Sequence, residues 1–332
     1  MLYIALPSII FGLIAATLLV KSVHNVSEAS NRQVIRERVE LPAIPVTPAW
    51  KYDPVLPTLS QGPPHVPVGT CAALQQCGGA AAKSWGGQRT TDQLPYIYII
   101  TPHRGRWEFY ERLVRSVRAA VEGTELEPCV CLLNSDQSMD AREDQQYQGS
   151  VLQHAQQMAD AWPGHVRVLL EPGSFSRAGT LQSGMDSIQT SEQASLVMTC
   201  DADQYFVNRA AIDKGLGWVQ QGRRFAAPIE WWASYRTYPE TIGKWDETNR
   251  KDGFWRIGSQ GVLWIHLADI RAIGTLWTPA FLNRTEWGGE DGNVYGVLLK
   301  HRLAPAREKY PELIHLFHDK AKWGGSVDGV KK

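Results

Sequence analysis

The chain has 332 residues, of which 43% are hydrophobic, and its 34 lysines and arginines balance 34 aspartates and glutamates. That length allows one large domain, or two small ones, together with accessory segments. The charge balance gives none of the basic excess that nucleic-acid-binding proteins use, which argues against that class. The thirteen tryptophans suit sugar rings or an ordinary core, and composition alone does not decide between them.

The five cysteines argue against a zinc ribbon, because no two of them form a C-x-x-C pair. In an oxidising compartment Cys71 and Cys77 could form a local disulfide. Cys129 and Cys131 lie on the same side of a predicted strand and are poorly placed to bridge each other. The sequence leaves the disulfide pairing open.

The first segment of the chain has the pattern of a membrane anchor. Residues 2–20 carry no charge, and a helix of that length spans about 28 Å, close to the thickness of a bilayer core. We expect a signal-anchor over residues 1–21, with a cleaved signal peptide as the alternative. Basic residues follow this span, so the positive-inside rule alone would place the rest of the chain in the cytoplasm.

Residues 22–93 are predicted to form a stem and an irregular lead-in. Eight prolines lie between Leu41 and Val68, and a segment of this composition is extended and cannot build a core. A globular domain is expected over residues 94–322, with a polar tail over 323–332.

Apolar strands alternate with amphipathic helices along the predicted globular domain. Strands are predicted at Tyr96–Thr101, Val130–Leu133, Val166–Leu170 and Ser195–Cys200, and helices at Phe109–Val121, Val151–Ala161, Arg177–Ile188 and Val294–Leu299. This alternation predicts an α/β domain with a mainly parallel, doubly wound sheet. Only short strand-like pieces are predicted over residues 225–265.

Two segments have the character of anion-binding sites. Pro102-His103-Arg104-Gly105-Arg106 is a basic loop between a predicted strand and a helix, where open α/β sheets bind phosphates. Phe175-Ser176-Arg177-Ala178 opens a helix, with Ser176 as its predicted cap and Arg177 at its positive end. A solvated basic turn is the alternative for the first segment.

Three acidic or histidine-containing segments suit a metal ion or a sugar. Asp201-Ala202-Asp203 ends a buried strand, where two carboxylates suit a divalent cation that bridges a diphosphate. In Trp287-Gly288-Gly289-Glu290-Asp291 the glycines allow left-handed backbone, so a loop could press two acids and a ring against a ligand. His315 and His318 form an H-x-x-H pair that can chelate a metal. The alternatives are surface turns for the two acidic segments and a chance spacing for the two histidines.

In their order along the chain, these motifs resemble those of glycosyltransferase family 7, the β1,4-galactosyltransferases and chondroitin N-acetylgalactosaminyltransferases. The resemblance covers roughly residues 94–322. Its elements are the P-x-R-x-R nucleotide loop, F-N/S-R-A, D-x-D, the highly specific W-G-G-E-D and the late histidine pair. Gly253-Phe254-Trp255-Arg256 is similar to the chondroitin branch. Ala202, Gly292 and Glu286 depart from the usual valine, acid and glycine.

The resemblance implies a GT-A fold, which is Rossmann-like with a mixed, mostly parallel sheet. It also implies an inverting mechanism that uses Mn²⁺ and a UDP-sugar donor. A single-pass type II protein of the Golgi membrane is expected, with its catalytic domain in the lumen, and this orientation takes precedence over the flanking charges. The expected partners are the donor and a glycan acceptor on a proteoglycan or glycoprotein, and not nucleic acid.

The resemblance also implies a role for each motif residue. Asp291 would be the catalytic base and Glu290 would bind sugar hydroxyls. The metal ligands would be Asp203, His315 and His318. The nucleotide-sugar would be bound by Pro102, His103, Arg104, Arg106, Phe175, Arg177, Asp201 and Gly261. The acceptor would contact Trp287, Gly288, Gly289 and Trp255.

The sequence therefore predicts β1,4 transfer of N-acetylgalactosamine from UDP-GalNAc to a glycan such as a glucuronic-acid-ended, chondroitin-type chain. The alternatives are transfer of galactose from UDP-galactose to N-acetylglucosamine, and a membrane-anchored carbohydrate-binding protein without catalysis. The sequon Asn283-Arg284-Thr285 adjoins the predicted site, and we expect it to be unmodified.

Overall fold

The computed structural model describes residues 66–77, 94–105, 107–136, 151–171, 175–188, 195–233, 253–258, 260–285 and 288–316. The predicted anchor, most of the predicted stem and the predicted tail lie outside these ranges, as do Arg106, Trp287 and His318. Among the described residues, none of the helices is both long enough and apolar enough to cross a membrane.

An eight-stranded mixed sheet forms the centre of the fold. In spatial order its strands are β1 (Val66–Thr70), β4 (Val166–Leu170), β3 (Val130–Asp136), β2 (Ile97–His103), β5 (Leu196–Thr199), β10 (Leu263–His266), β7 (Arg224–Ala226) and β11 (Ala304–Ala306). Strands β4, β3, β2 and β5 run parallel to one another. β1 and β10 pair antiparallel with the two outer strands of this run. The predicted α/β class is confirmed, with parallel pairing at the centre of a mixed sheet.

Helices cover both faces of the central sheet, which explains why β2 and β3 are buried along their whole length. The helices are α1 (Trp107–Val121), α2 (Val151–Ala161), α3 (Arg177–Asp186), α4 (Ala210–Trp218), α5 (Leu267–Ile273), α6 (Pro279–Leu282) and α7 (Glu290–Lys300). Helices α1, α2 and α4 contribute to one apolar core. Helices α3, α5 and α7 contribute to the other. The domain is therefore doubly wound.

The chain also forms a second, four-stranded sheet. In spatial order it contains β6 (Gln204–Phe206), β12 (Lys309–His315), β8 (Ile229–Ala233) and β9 (Gly253–Arg256). β12 pairs antiparallel with β6 and parallel with β8, and β9 pairs antiparallel with β8. Because β12 pairs with β6, the last described strand ends next to the segment that follows β5.

The domain begins earlier than the sequence predicts. β1 pairs along its full length with β4, so a part of the predicted stem and lead-in belongs to the central sheet. Pro67 and Gly69 hide this strand in the sequence, and an edge strand tolerates both residue types. A boundary at residue 94 is therefore too late.

Two disulfides join the segment after β1 to the start of β3. Cys71 pairs with Cys131, and Cys77 pairs with Cys129, with Cα separations of 5.5 and 4.7 Å. A local bridge between Cys71 and Cys77 is therefore wrong. The short 3₁₀ helix Ala72–Gln76 keeps these two cysteines apart, and each faces one cysteine near the start of β3.

Candidate active site

The predicted site segments meet at one edge of the central sheet. β2 and β5 are parallel neighbours, so His103 at the end of β2 and Asp201 after β5 lie at the same edge. The chain continues from β2 to β3 on one side, whereas β5 lies on the other side. A crevice at such a change of direction is where open α/β sheets bind ligands.

The side chain of Arg177 connects four separate parts of the chain. Its Nε donates a hydrogen bond to Asp201 Oδ1 at 2.8 Å, and its Nη1 donates to Asp291 Oδ1 at 2.6 Å. Nη1 also lies 3.7 Å from Glu290 Oε1, and Nη2 donates to the carbonyl oxygen of Gly261 at 3.2 Å. We call these five residues the Arg177 cluster. Arg177 thus contacts Gly261 and predicted binding residues from two other motifs. Its guanidinium is bound to carboxylates.

The Arg177 cluster carries more negative than positive charge. Arg177 is only 6% exposed. Burial opposes its charge, but the neighbouring Asp201, Asp291 and Glu290 outweigh burial and raise the pKa of the guanidinium above its ordinary value. One guanidinium faces three carboxyl groups, an arrangement that favours the approach of a further cation.

The two acids of the cluster are held by the first turn of a helix. Gly289 adopts a left-handed φ of 87°, and α7 begins immediately after it at Glu290. The sequence predicts this helix only from Val294 and puts the acids on a loop, so that prediction is wrong. Carboxylates are favoured at the positive end of a helix, which explains the early start. The indole N–H of Trp277 donates to the Glu290 carbonyl oxygen at 3.1 Å and fixes the turn.

Helix α3 also holds the segment that leads to α7. Ser176 caps α3, as predicted, by accepting a hydrogen bond from the N–H of Gly179 at 3.2 Å. The Ser176 hydroxyl donates to the carbonyl oxygen of Leu282, at the end of α6, at 2.6 Å. A Cβ atom on Gly179 would lie only 2.5 Å from that oxygen. The glycine therefore permits α6 to approach the start of α3.

Glu290 and Asp291 have different surroundings that suit different roles. Glu290 is buried, and its Oε2 has no hydrogen-bond partner in the described part of the chain. An unpaired buried acceptor costs about 1–3 kcal/mol, which a ligand hydroxyl would recover. The Asp291 side chain is 36% exposed. Of the two acids, Asp291 is the more accessible to a group that approaches from solvent.

Asp203 and His315 form a second pair of candidate ligands. His315 Nε2 lies 3.3 Å from Asp203 Oδ1, and both side chains are buried. The backbone brings them together, since the N–H of Leu316 donates to the Asp203 carbonyl oxygen at 2.7 Å. Two ligands of one octahedral ion lie about 3 Å apart when each is about 2.1 Å from it, so the spacing fits a shared divalent cation.

The rest of the metal-ligand set is not complete within the described residues. They contain no group of three or more His, Cys, Asp or Glu side chains suited to an ion, and the predicted ligand His318 lies outside them. Cys200 lies three residues before Asp203, but burial raises the pKa of its thiol. Burial thus favours the neutral form of the Cys200 thiol.

The predicted nucleotide loop has a buried end and an exposed end. Pro102 is buried within β2, Arg104 is exposed after it, and Phe175 before α3 is half-buried. His103 is buried, and its Nδ1 lies 3.4 Å from Asp136 Oδ2 at the end of β3. Asp136 was not predicted as a site residue. It is the last residue of a buried strand, a place similar to that of Asp201 after β5, and that pattern could have identified it.

The second sheet contributes an aromatic residue that the sequence did not identify. The Trp232 indole stacks on the His315 imidazole, with ring centres 3.8 Å apart and planes within 9°. The predicted sugar-binding residue Trp255 makes an edge contact with Trp231 at 5.2 Å. Side chains alternate along a strand, so Trp255 faces away from the side of the sheet that carries Trp232. Gly288 is exposed just before α7.

The chain is similar to known proteins over part of its length. No protein-family model matches the chain. Over 152 residues, 46% of the chain, it is 26% identical to N-acetyl-beta-glucosaminyl-glycoprotein 4-beta-N-acetylgalactosaminyltransferase 1 of Mus musculus. The matched segment corresponds to 13% of that relative's length.

Two solved structures of glycosyltransferases are also similar in part. One is a Drosophila β1,4-galactosyltransferase 7 mutant in complex with manganese, UDP-Gal and xylobiose, with 12% identity, a TM-score of 0.41, and coverage of 72% of this chain and 77% of that one. The other is the mannosyltransferase PcManGT from Pyrobaculum calidifontis with GDP-Man and Mn²⁺, with 12% identity, a TM-score of 0.43, and coverage of 71% and 60%. At these TM-scores, the likenesses establish neither a family nor a shared site.

Proposed function

We propose that this protein is an inverting glycosyltransferase of the GT-A type that transfers N-acetylgalactosamine from UDP-GalNAc to a glycan hydroxyl in β1,4 linkage. Asp201, Arg177 and the Glu290–Asp291 pair come from distant motifs, and they meet in one partly buried ion-pair cluster. That convergence is the observation that carries the proposal. Sequence similarity to an N-acetylgalactosaminyltransferase over nearly half of the chain supports the choice of donor.

Asp291 is the proposed general base. An inverting transfer needs a carboxylate that takes the proton from the acceptor hydroxyl as that oxygen attacks the anomeric carbon of the donor. Arg177 holds Asp291 Oδ1, which fixes the orientation of the carboxylate, and its partial exposure admits an acceptor. Base catalysis of this kind contributes about 10²–10⁴-fold in rate.

Glu290 and the other members of the Arg177 cluster are proposed to bind the donor. The unpaired Oε2 of Glu290 would accept a hydrogen bond from a hydroxyl of the transferred sugar. Asp201 would bind the nucleotide ribose, and Gly261 leaves space between Asp201 and Asp291. His103 and Arg104, at the end of β2, would bind the nucleotide.

Asp203 and His315 are the residues that would hold a divalent cation, together with His318. The donor set of a carboxylate and an imidazole suits Mn²⁺. A bound divalent cation neutralises the charge that develops on the leaving diphosphate. The Asp203 and His315 side chains are both buried, with Oδ1 and Nε2 3.3 Å apart.

The proposed setting is the lumen of the Golgi, with the predicted N-terminal segment as a type II anchor. The two disulfides support an oxidising compartment, because disulfides persist there and are rare in the cytosol. The donor, a glycan acceptor and the membrane would then be the partners of the protein.

The proposal is tested by a screen of sugar donors against two defined acceptors. The purified protein is incubated with UDP-GalNAc, UDP-galactose or UDP-glucose, in Mn²⁺ or in EDTA, and the products are analysed by mass spectrometry and NMR. We expect a β-linked N-acetylgalactosamine product that EDTA abolishes. Transfer of galactose in preference would reject the donor assignment, and the absence of transfer from every donor would reject the enzyme.

The screen also compares two acceptors. The sequence motifs favour a glucuronic-acid-ended chain, whereas the name of the mouse relative indicates an N-acetylglucosaminyl glycoprotein acceptor. N-acetylglucosamine-ended glycans are therefore the second candidate. Preferential transfer to one of the two defined oligosaccharides distinguishes them.

A further inference from the structure

An arginine at the protein surface lies over the ring of a tryptophan that also contacts a candidate metal ligand. The guanidinium carbon of Arg256 is 3.8 Å from the centre of the Trp232 ring, and His315 stacks on the same indole at 3.8 Å. Arg256 and His315 cannot both stack on the same face of the indole at this distance. They therefore lie on its opposite faces, with the indole between them. His315 in turn contacts Asp203. Arg256 is thus two stacking contacts away from the candidate metal ligands.

The guanidinium of Arg256 has donors that are not used within the described part of the chain. Arg256 is exposed at the end of β9, one of the two outer strands of the second sheet. Its neighbour across the strands, Glu230, is buried and accepts a hydrogen bond from Gln204 at 2.9 Å instead. No ion pair joins Arg256 to a carboxylate among the residues that the structure describes. Stacking fixes the guanidinium plane while its N–H groups stay available for two-pronged binding of a carboxylate.

An exposed aromatic ring lies on the same side of β9. Phe254 is 55% exposed, and its ring centre is 6.3 Å from that of Trp232. Phe254 and Arg256 are two residues apart in a strand and therefore point to the same face. An apolar ring beside an oriented cation matches the chemistry of an acidic sugar, which has a C–H face and a carboxylate.

We propose that Arg256 binds the carboxylate of a uronic acid in the acceptor, and that Phe254 contacts the sugar ring. The side of β9 that carries Arg256 and Phe254 then selects acidic glycans over neutral ones. This inference rests on the proposed function in treating the glycan as the acceptor. Binding of the acidic sugar, however, requires no donor and no catalysis.

The experiment combines one substitution in the protein with one chemical change in the ligand, each made alone and together. A glucuronate-ended oligosaccharide and its carboxyl-reduced, glucose-ended counterpart are titrated by calorimetry into the full chain without any UDP-sugar. We expect carboxyl reduction to weaken binding to the unchanged protein by about tenfold or more, as for a lost hydrogen-bonded charge. With Arg256→Gln the two ligands should bind within about twofold of each other, since the charged partner is absent.

Two further variants serve as controls. Arg223→Gln removes an exposed arginine at the turn before β7 and should discriminate between the ligands as the unchanged protein does. Arg256→Lys keeps the charge but lacks the planar fork, so part of the discrimination should be lost. If Arg256→Gln does not fold, Arg256→Lys decides, and full discrimination by that variant would overturn the role of Arg256.

Equal binding of both ligands by the unchanged protein would overturn the inference, as would equal losses in the unchanged protein and Arg256→Gln. Discrimination without transfer in the donor screen would reject the proposed function but keep the binding role. Transfer without discrimination would reject the binding role alone and favour the neutral acceptor.

Discussion

Arg177 is the residue on which the candidate site depends most. Its guanidinium bonds to Asp201 and Asp291, and it lies near Glu290. The sequence predicts that Arg177 is functional, because it lies at a helix start within a recognisable motif. Which carboxylates it binds could not be predicted, since these partners are 24 and 114 residues away and no local pattern connects them.

Substitution of Arg177 by methionine should destabilise the protein, because the neighbouring carboxyl groups would lose their shared cation. Removal of one partner from a buried ion pair typically costs 3–5 kcal/mol, and the partial exposure of Asp201 and Asp291 points to the lower end, about 3 kcal/mol. Urea unfolding at pH 7 measures the loss, with the exposed Arg223→Met as the control. An unfolding free energy equal to that of the control would show that the cluster contributes no net stability.

Gly261→Ala should separate binding from stability. An added Cβ would lie 3.4 Å from Arg177 Nη2 and 3.6 Å from an oxygen of both Asp201 and Asp291. These are ordinary contacts, so the unfolding free energy should change by less than about 1 kcal/mol.

The added methyl group of Gly261→Ala would nevertheless occupy the space between the two carboxylates, and we expect donor affinity to fall roughly tenfold or more. The control is Gly292→Ala in α7, where a Cβ meets nothing within 4 Å. Calorimetric titration with UDP-GalNAc and Mn²⁺ measures both variants. Unchanged affinity in Gly261→Ala would place the donor elsewhere.

Helix α5 is joined to the turn before β7 by a buried carboxylate. Asp269 accepts the N–H of Gly222 with Oδ1 and Oδ2, at 2.8 and 3.0 Å. Burial raises the pKa of Asp269 to about 6, although the hydrogen bond from Gly222 opposes the change. Below about pH 4 the carboxyl group is protonated in both states. Between about pH 4 and 6 only the unfolded state ionises, so this group lowers stability as pH rises through that window.

Asp269→Asn should therefore become more stable relative to the unchanged protein as pH rises from about 4 to 6. The relative gain should be about 3 kcal/mol at most and should then stay constant at higher pH. Urea unfolding of both proteins at pH 4.5, 5.5 and 7 measures the difference. A difference that does not change with pH would contradict the raised pKa.

Some helices and strands can be predicted from the sequence, whereas others depend on contacts that exist only in the folded protein. The limits of β4 and α2 match the predicted ones because their apolar periodicity is strong and local. β1 is missed because its proline and glycine resemble a stem, and pairing with β4 creates the strand. The start of α7 is missed because two glycines precede it, and capping by the left-handed Gly289 is visible only in three dimensions.

In the candidate site, likewise, some residues were identified from the sequence, whereas some of their contacts were not. Asp201 and Asp203 were identified by their place after a buried strand, and His315 by its spacing and motif. Trp232 and Arg256 were not identified as neighbours of His315, since β8, β9 and β12 are separate in sequence. A single chain gives no signal for stacking across three strands.

At the scale of the whole molecule, the two disulfides leave a single free cysteine. Cys200 is buried and lies outside both bridges. Under denaturing but non-reducing conditions one thiol per chain should react with a thiol reagent, and after reduction all five should react. In the native protein Cys200 should be unreactive, because burial excludes the reagent and raises the pKa of the thiol. Three or five reactive thiols before reduction would contradict the pairing.

In the proposed function, one domain brings distant motifs together in a transferase site with Asp291 as its base. The most direct measurement is the rate of transfer from UDP-GalNAc by Asp291→Asn, together with its affinity for UDP in Mn²⁺. Asp213→Asn, which alters a carboxylate on α4 that pairs with Arg209, is the control. We expect transfer by Asp291→Asn to fall by about 10²–10⁴-fold while UDP binding is retained. Transfer at the rate of the control would contradict this expectation.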